Sequence, residues 1–167
     1  MRLVRALALL VAAACCLALV PGVADSTDGD VVVLDYPYGR VCPGAGFVGG
    51  VDRWYMDTCN CTSYVAWALS ANGRRVDWFR RGAMDAHNWA WVAALAGVPE
   101  GRSPRVDAVA VWPRLSPPFG HVGFVVAVHR DGTFDVAEYN LLRRFRFDAR
   151  YHVAAAGAVF LYVPMRR

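Results

Sequence analysis

The clearest pattern in the chain is a helical repeat of apolar residues from Cys61 to Ala71. Apolar side chains recur there at spacings of three and four residues, the period of a helix with one buried face. The repeating positions are Tyr64, Val65, Ala68 and Leu69. Asn60 precedes the repeat as a favoured N-cap residue, and Asn72-Gly73 follows it as a typical helix end. The pattern predicts a helix over Cys61–Ala71.

A second helix is predicted over residues 86–96, with Asp85 as its cap and Gly97 as its end. Beyond it the period changes to two, which is typical of strands. The strand-like segments are residues 107–112, 121–130, 133–140, 145–147 and 158–163. Helices followed by sequential strands predict an α+β domain in which N-terminal helices pack on a C-terminal antiparallel sheet.

The Asp131-Gly132 pair predicts a hairpin, because both residue types tolerate the positive φ of a tight turn. With an ideal two-residue turn, His121 lies opposite Leu142, and His121, Glu138 and Asn140 point to one face. In that register Asn140 is nearer to His121 than Glu138 is, although a bulge alters the order. Spacing alone leaves open which of the two contacts the imidazole.

The first 24 residues have the layout of a secretory signal peptide. Two arginines precede an apolar run over residues 6–20, and small residues precede a cleavage position after Ala24. The run falls short of the roughly 20 residues that a membrane-spanning helix needs. This length favours cleavage over the alternatives, which are a retained anchor or lipidation at Cys15 or Cys16. The protein is therefore expected outside the cytoplasm.

Cleavage leaves 143 of the 167 residues, enough for one domain with its own core. Residues 25–34 are expected to form a flexible lead-in and residues 35–165 the domain. All 18 basic residues are arginines; without Arg2 and Arg5, 16 remain against 14 acidic residues, a net charge of +2. A charge this small argues against a nucleic-acid partner. We expect a monomer that has no membrane attachment after cleavage.

Three cysteines remain after cleavage, Cys42, Cys59 and Cys61, and an odd number leaves one thiol free in an oxidising compartment. Cys59 and Cys61 are too close in sequence to form a bridge without strain. The pairing with least strain is Cys42 with Cys59, which leaves Cys61 free.

A thiol at a helix N-terminus has the chemistry of a nucleophile. The helix dipole and the unpaired backbone N–H groups there favour a thiolate, and the same groups can bind an oxyanion. Such a thiol needs a base nearby. Among the histidines, His121 alone opens a strand directly after a Pro/Gly loop, at the rim of a sheet where a cleft can form.

Two other interpretations apply to the same cysteines. A cysteine at a helix start is often a small buried hydrophobic residue. The Cys59-x-Cys61 spacing is compatible with zinc, but the chain lacks a second close pair of ligands, so neither a metal nor another cofactor is expected. Trp112 and residues 113–120 are further candidates for the wall of a substrate groove.

Four stretches, taken in order, carry a family resemblance: NCTSYVAWALSANG, DAVAVW, GHVGFVVAV and DGTFDVAEYN. Together they resemble the CHAP family, the cysteine, histidine-dependent amidohydrolases/peptidases, from about Tyr36 to Val163. The resemblance implies a papain-like fold. It also implies Cys61 as nucleophile, His121 as base, Glu138 as the orienting acid and Asn140 as its helper.

The chain departs from the family at two points. Asn60 stands where many relatives carry a glutamine that serves the oxyanion, so Asn60 is a candidate for that role as well as for the helix cap. Some relatives bind calcium through aspartates upstream of the cysteine. Here Asp52 and Asp57 alone lie there, too few for a calcium site of six to eight oxygens.

The resemblance implies a secreted thiol hydrolase with bacterial peptidoglycan as its substrate. The bond cleaved is either the amide between muramic acid and L-alanine or an amide within the peptide crosslinks. The alternative is a papain-like module that binds the cell wall or a partner with little or no turnover. An intact thiol, base and acid favour the enzyme.

Overall fold

The computed structural model describes residues 31–42, 50–81 and 85–167. The expected signal peptide and residues 25–30 of the expected lead-in lie outside the described residues. In the part that is described, no helix is long and apolar enough to cross a membrane. The backbone N–H of Val32 donates to Asn72 Oδ1 at 2.8 Å, and the Tyr64 hydroxyl donates to the carbonyl of Val33 at 2.8 Å. The chain is thus tied to the first helix before residue 35.

Two helices precede the sheet. Helix α1 is Cys61–Ala71, as the apolar repeat predicts. The second predicted helix begins as a 3₁₀ turn over Ala86–Asn88 and continues as α2, Trp89–Leu95. A further 3₁₀ turn, Asp77–Arg81, lies between α1 and α2.

A six-stranded antiparallel sheet follows, in the order β1-β6-β2-β3-β4-β5. The strands are β1 Glu100–Gly101, β2 Val109–Trp112, β3 His121–Val128, β4 Phe134–Tyr139, β5 Phe147–Val153 and β6 Val159–Leu161. Helix α1 packs against β3 and β4 in the middle of the sheet. The α+β fold predicted from the sequence is confirmed. Strand β1 is the one missed, because two residues are too few to show a period.

The two ends of α1 are closed differently. At the C-terminus, Gly73 takes φ +71°, its N–H donates to the carbonyl of Ser70, and the N–H of Arg74 donates to that of Leu69. This is the Schellman arrangement that Asn72-Gly73 predicts. Asn60 takes the extended N-cap conformation, but its side chain makes no capping hydrogen bond. Asn60 is thus the N-cap residue by backbone position, as predicted, but its side chain does not cap the helix, because it is bound to Asn140.

Strand β2 is buried on both faces, because each face of the sheet carries its own apolar cluster. Val109 and Val111 pack with the helices, whereas Ala110 and Trp112 belong to a cluster on the opposite face with residues such as Phe134. A strand covered on both sides has no need of polar alternation. This explains the continuous apolar sequence of β2.

The hairpin between β3 and β4 differs from the ideal one. His129 and Thr133 close a three-residue loop, with Gly132 at φ +81°. A bulge between Val125 and Ala127 then shifts the register again. As a result Gly123 pairs with Glu138, and the predicted pairing of His121 with Leu142 is wrong. Because side chains alternate between the two faces, His121 and Glu138 lie on the same face of the sheet, and Glu138 is opposite Gly123, two residues along β3 from His121.

Gly120 fixes where β3 begins. It has φ +73°, and a Cβ atom there would lie 2.5 Å from the backbone nitrogen of His87 and 2.9 Å from its Cα. The His87 N–H donates to the carbonyl of Phe119 at 2.8 Å. The chain therefore touches the start of the second helical segment immediately before His121, and only glycine allows both the conformation and the approach.

We expect Gly120→Ala to destabilise the fold more than Gly132→Ala. Both glycines have positive φ, which costs alanine roughly 1–2 kcal/mol. Gly132 has no atom within 4 Å of an added Cβ, whereas Gly120 would also suffer overpacking, which typically costs about 1–3 kcal/mol more. Free energies of unfolding from denaturant titration provide the comparison. Equal losses in the two variants would contradict the importance of the contact with His87.

Candidate active site

Cys61 opens helix α1 and lines a cleft of about 440 Å³. The structure contains the predicted disulfide between Cys42 and Cys59, so Cys61 is the free cysteine among the described residues. The Cys61 side chain is half-buried. The first turn of a helix leaves N–H groups without helical partners. An anion at the Cys61 position therefore has backbone donors nearby.

The turn that enters α1 is anchored on its buried side. Cys59 has φ +65°, a conformation that costs a non-glycine residue energy. Its N–H donates to the hydroxyl oxygen of Tyr36 at 3.1 Å, and that hydroxyl is hydrogen-bonded to Ser63 Oγ at 2.6 Å. With the disulfide on Cys59, these contacts fix the backbone two residues before the Cys61 thiol.

His121 is the base candidate that the fold brings to Cys61. Its side chain is 2% exposed and lies close enough to Cys61 for the thiol to raise the pKa of the imidazole. Its Nε2 lies 3.0 Å from Glu138 Oε2. Since Nε2 faces the carboxylate, Nδ1 is the ring nitrogen left for the thiol. An imidazole between a thiol and a carboxylate is the arrangement that lets the thiol lose its proton.

The surroundings of His121 favour its protonated form. Burial alone would lower the pKa of the imidazole, but the hydrogen bonds and charges of Cys61 and Glu138 outweigh this effect. Together they raise the pKa of His121 from 6.5 to about 9. The imidazolium form therefore persists well above neutral pH.

Glu138 has no exposed surface, and its carboxylate faces two cationic partners, His121 and Arg150. Burial would raise the pKa of Glu138, but hydrogen bonds and charge from these partners hold it below the ordinary value. Gly123, the cross-strand partner of Glu138, leaves space for the side chain of Val136, because a Cβ there would collide with Val136 Cγ2.

Asn140 does not face His121; it is bound to Asn60. Asn140 leaves the strand at φ +60°, and its Nδ2 donates to Asn60 Oδ1 at 2.6 Å. The N–H of Phe145 donates to Asn140 Oδ1 at 2.7 Å. Because a backbone N–H can only donate, this contact fixes the orientation of both amides. The Nδ2 group of Asn60 is left as a donor at the cleft.

The cleft is bordered by four short segments. Its lining residues are Asp57, Asn60, Cys61, Thr62, Asp85, Ala86, Ser116, Phe119, Gly120, His121, Asn140, Arg144 and Phe145. The loop before β3 contributes as expected from the sequence. Trp112 does not belong to this lining; it is 8% exposed and stacks on His121 at a centroid distance of 6.0 Å.

The other histidines have separate surroundings. His129 Nε2 lies 2.7 Å from Asp135 Oδ1, and its ring stacks on that of His152 at 4.0 Å. This pair lies beyond the opposite end of β3 from His121. His87 contributes its backbone N–H to Phe119. In the described ranges, no three His, Cys, Asp or Glu side chains are grouped to bind a metal ion.

The sequence did not point to Arg150 or Tyr36. Arg150 lies in β5, and the pattern placed a strand only over residues 145–147, so its pairing with β4 left no signal. Tyr36 precedes Ser63 by 27 residues in a Pro/Gly-rich stretch with no periodicity. Both contacts depend on long-range packing.

Known proteins resemble the chain in sequence and in fold. It is 34% identical over 83 residues to the "Probable autolysin LDP" of Staphylococcus aureus (strain NCTC 8325 / PS 47), a match that covers 48% of this chain and 27% of the autolysin. The crystal structure of an N-acetylmuramoyl-L-alanine amidase from Staphylococcus aureus superposes with a TM-score of 0.54 at 26% identity. That match covers 63% of this chain and 30% of the amidase chain.

The family assignment rests on a longer match. Residues 50–140, more than half of the chain, match the CHAP domain. This segment begins before the turn that carries Cys61, includes His121 and Glu138, and ends at Asn140. The chain belongs to the CHAP domain family.

Proposed function

We propose that the protein is an exported peptidoglycan hydrolase that cleaves an amide bond with Cys61 as nucleophile. The observation that carries this proposal is that Cys61, at the start of α1, and His121, which is hydrogen-bonded to the buried carboxylate of Glu138, line one cleft. The autolysin and the amidase support the substrate class, although the chain spans less than a third of either. The scissile bond is the muramoyl-L-alanine amide or an amide in the peptide crosslinks.

In the reactive state the proton of Cys61 Sγ is held on His121 Nδ1, so that a thiolate faces an imidazolium. The thiolate attacks the amide carbonyl, and the tetrahedral intermediate carries a negative oxygen. The imidazolium then gives its proton to the leaving nitrogen, and a thioester remains on Cys61. Neutral His121 next takes a proton from water, which attacks the thioester and releases the acid. Glu138 stabilises the imidazolium in both halves of the cycle.

The oxyanion is held by donors at the start of α1. The backbone N–H of Cys61 belongs to the unpaired first turn, and Asn60 Nδ2 is the amide donor left by the contact with Asn140. In this proposal Asn60 supplies the donor expected at the residue before the nucleophile. Asn140 acts through Asn60 and does not orient His121.

The charges of the cleft suit a peptide. Asp57, Asp85 and Arg144 line it, and none of the three forms an ion pair within the described residues. The peptides of peptidoglycan carry both free carboxylates and free amines, which such side chains can bind by charge-assisted hydrogen bonds. A glycan alone offers no such charges, so the cleft favours a peptide amide.

Export is part of the proposal. The first 24 residues resemble a signal peptide. The disulfide between Cys42 and Cys59 fits an oxidising compartment, since cytoplasmic proteins rarely keep one. We therefore place the action of the enzyme in the cell-wall space.

We predict that Cys61→Ala and Cys61→Ser abolish hydrolysis of purified peptidoglycan, because neither supplies a thiolate. Zymography and mass spectrometry of the released fragments provide the test. A new L-alanine N-terminus identifies the amidase bond, and a new N-terminus within the peptide identifies the endopeptidase bond. Thermal midpoints near that of the unsubstituted protein serve as the control for folding. Full activity of Cys61→Ala would remove the nucleophile from the proposal.

We predict that Glu138→Gln lowers kcat at least about tenfold, which is roughly 1.4 kcal/mol of barrier. It should also move the alkaline limb of the kcat/KM profile to lower pH. The sign follows from His121, whose pKa is raised to about 9 partly by the Glu138 charge; without that charge the imidazolium loses its proton earlier. Asn140→Ala serves as the comparison and should leave this limb in place. An unchanged limb in Glu138→Gln would contradict the assigned role.

A double-mutant cycle tests whether Asn140 acts through the side-chain amide of Asn60. Removal of one side-chain donor from an oxyanion site typically lowers kcat by about 10²–10³, so Asn60→Ala should be strongly impaired. If Asn140 acts only by orienting that amide, Asn140→Ala should have little further effect in the Asn60→Ala protein. The rate of Cys61 alkylation should be unaffected in all three variants. Independent, additive losses would show that Asn140 acts elsewhere.

A further inference from the structure

Arg150 holds both oxygens of the Glu138 carboxylate. Its Nε donates to Oε1 at 2.5 Å, and one of its terminal nitrogens donates to Oε2 at 2.8 Å. Oε2 is also the oxygen that lies 3.0 Å from His121 Nε2. His121 and Arg150 thus share one carboxylate oxygen, and among the described residues Arg150 alone binds the other.

Trp112 completes a closed arrangement with these three side chains. The guanidinium of Arg150 lies over the indole ring of Trp112 at 4.8 Å from its centroid. Trp112 is the cross-strand partner of His121, and their rings stack at 28°. The side chains form a ring in the order His121, Glu138, Arg150, Trp112, contributed by strands β3, β4, β5 and β2.

The burial of Glu138 explains why both of its carboxylate oxygens need partners. A carboxylate without solvent contact is expensive unless its oxygens are paired. His121 is hydrogen-bonded to one oxygen only. Without Arg150 the other oxygen would lose its hydrogen bond, and the orientation of the carboxylate plane would be less restricted. A guanidinium suits this task because its fork is rigid and remains charged.

We propose that Arg150 is a positioning residue of the CHAP site, which keeps Glu138 ionised and turned toward His121. This inference rests on the proposed Cys61–His121–Glu138 arrangement and adds a fourth member from β5. Arg150 is not among the residues that line the cleft; it acts through the carboxylate.

Other ionisable groups also face this carboxylate. On β5, Asp148 is the cross-strand partner of Glu138, but it is occupied by Arg143 Nε at 2.7 Å. From α1, Tyr64 lies close enough for the Glu138 charge to raise the pKa of its hydroxyl further. Both remain in place when Arg150 is replaced, so a change in titration reports the loss of Arg150.

The test measures alkylation of Cys61 by iodoacetamide against pH, with the Cys61 peptide quantified by mass spectrometry. Arg150→Met keeps the stem over Trp112 but removes the charge and both hydrogen bonds. Glu138 then binds a proton more readily, so we expect the acidic midpoint of the alkylation profile to rise by at least about half a pH unit. Arg150→Lys keeps the charge without the fork, so its acidic midpoint should lie between those of the unsubstituted protein and of Arg150→Met.

Two comparisons make the test specific. Arg105→Met removes an arginine that lies over the Tyr162 ring at 4.0 Å, away from Glu138, and should leave the profile unchanged. In a Glu138→Gln protein, Arg150→Met should produce little further shift, because the group through which it acts is gone. The alkylation readout needs no peptidoglycan, so loss of the proposed function and loss of this inference are separate results.

Two outcomes would overturn the inference. The first is an Arg150→Met protein with a lowered thermal midpoint but an unchanged pH profile, which would make Arg150 a purely structural residue. The second is an equal shift with and without Glu138, which would mean that Arg150 acts on the thiol directly.

Discussion

A carboxylate that water does not reach must be neutralised by the protein, and at Glu138 this constraint organises one side of the site. Its two oxygens take hydrogen bonds from His121 and Arg150, which hold the pKa of Glu138 low. The same charge contributes to the raised pKa of His121. The low pKa of Glu138 and part of the rise in the pKa of His121 therefore come from one set of contacts, which three adjacent strands supply; Cys61, from α1, raises the pKa of His121 as well.

Those contacts depend on backbone details of β3. Gly123 leaves room for Val136, two residues before Glu138 on β4, and Gly120 allows the close approach to the second helical segment just before His121. The bulge after Val125 brings Glu138 one pair away from His121. Each feature involves only a few residues of the backbone, but each affects where a side chain of the candidate site lies.

Cys61, the proposed nucleophile, is positioned by a separate set of constraints. The disulfide and the Tyr36 hydroxyl hold Cys59, and Ser63 joins that hydroxyl to the first turn of α1. On the cleft side, Asn140 binds Asn60 and so connects the end of β4 to the helix start. Two rigid parts thus meet at the Cys61–His121 contact, and either can be altered by substitution without removing the other.

The sequence by itself determined α1, the α+β class and the disulfide pairing, and it supplied Cys61 and His121 as the candidates for thiol and base, because each depends on local period or on a short list of residue types. It left open whether Glu138 or Asn140 contacts His121, and an ideal hairpin favoured the wrong neighbour. Only the tertiary structure decided that point: the loop and the bulge bring Glu138 nearer to His121 than an ideal hairpin does, and Asn140 leaves the strand at φ +60° and binds Asn60 instead. Arg150 and the Asn60–Asn140 contact likewise required the fold. They join residues distant in sequence, and nothing in the local pattern of either partner records the other.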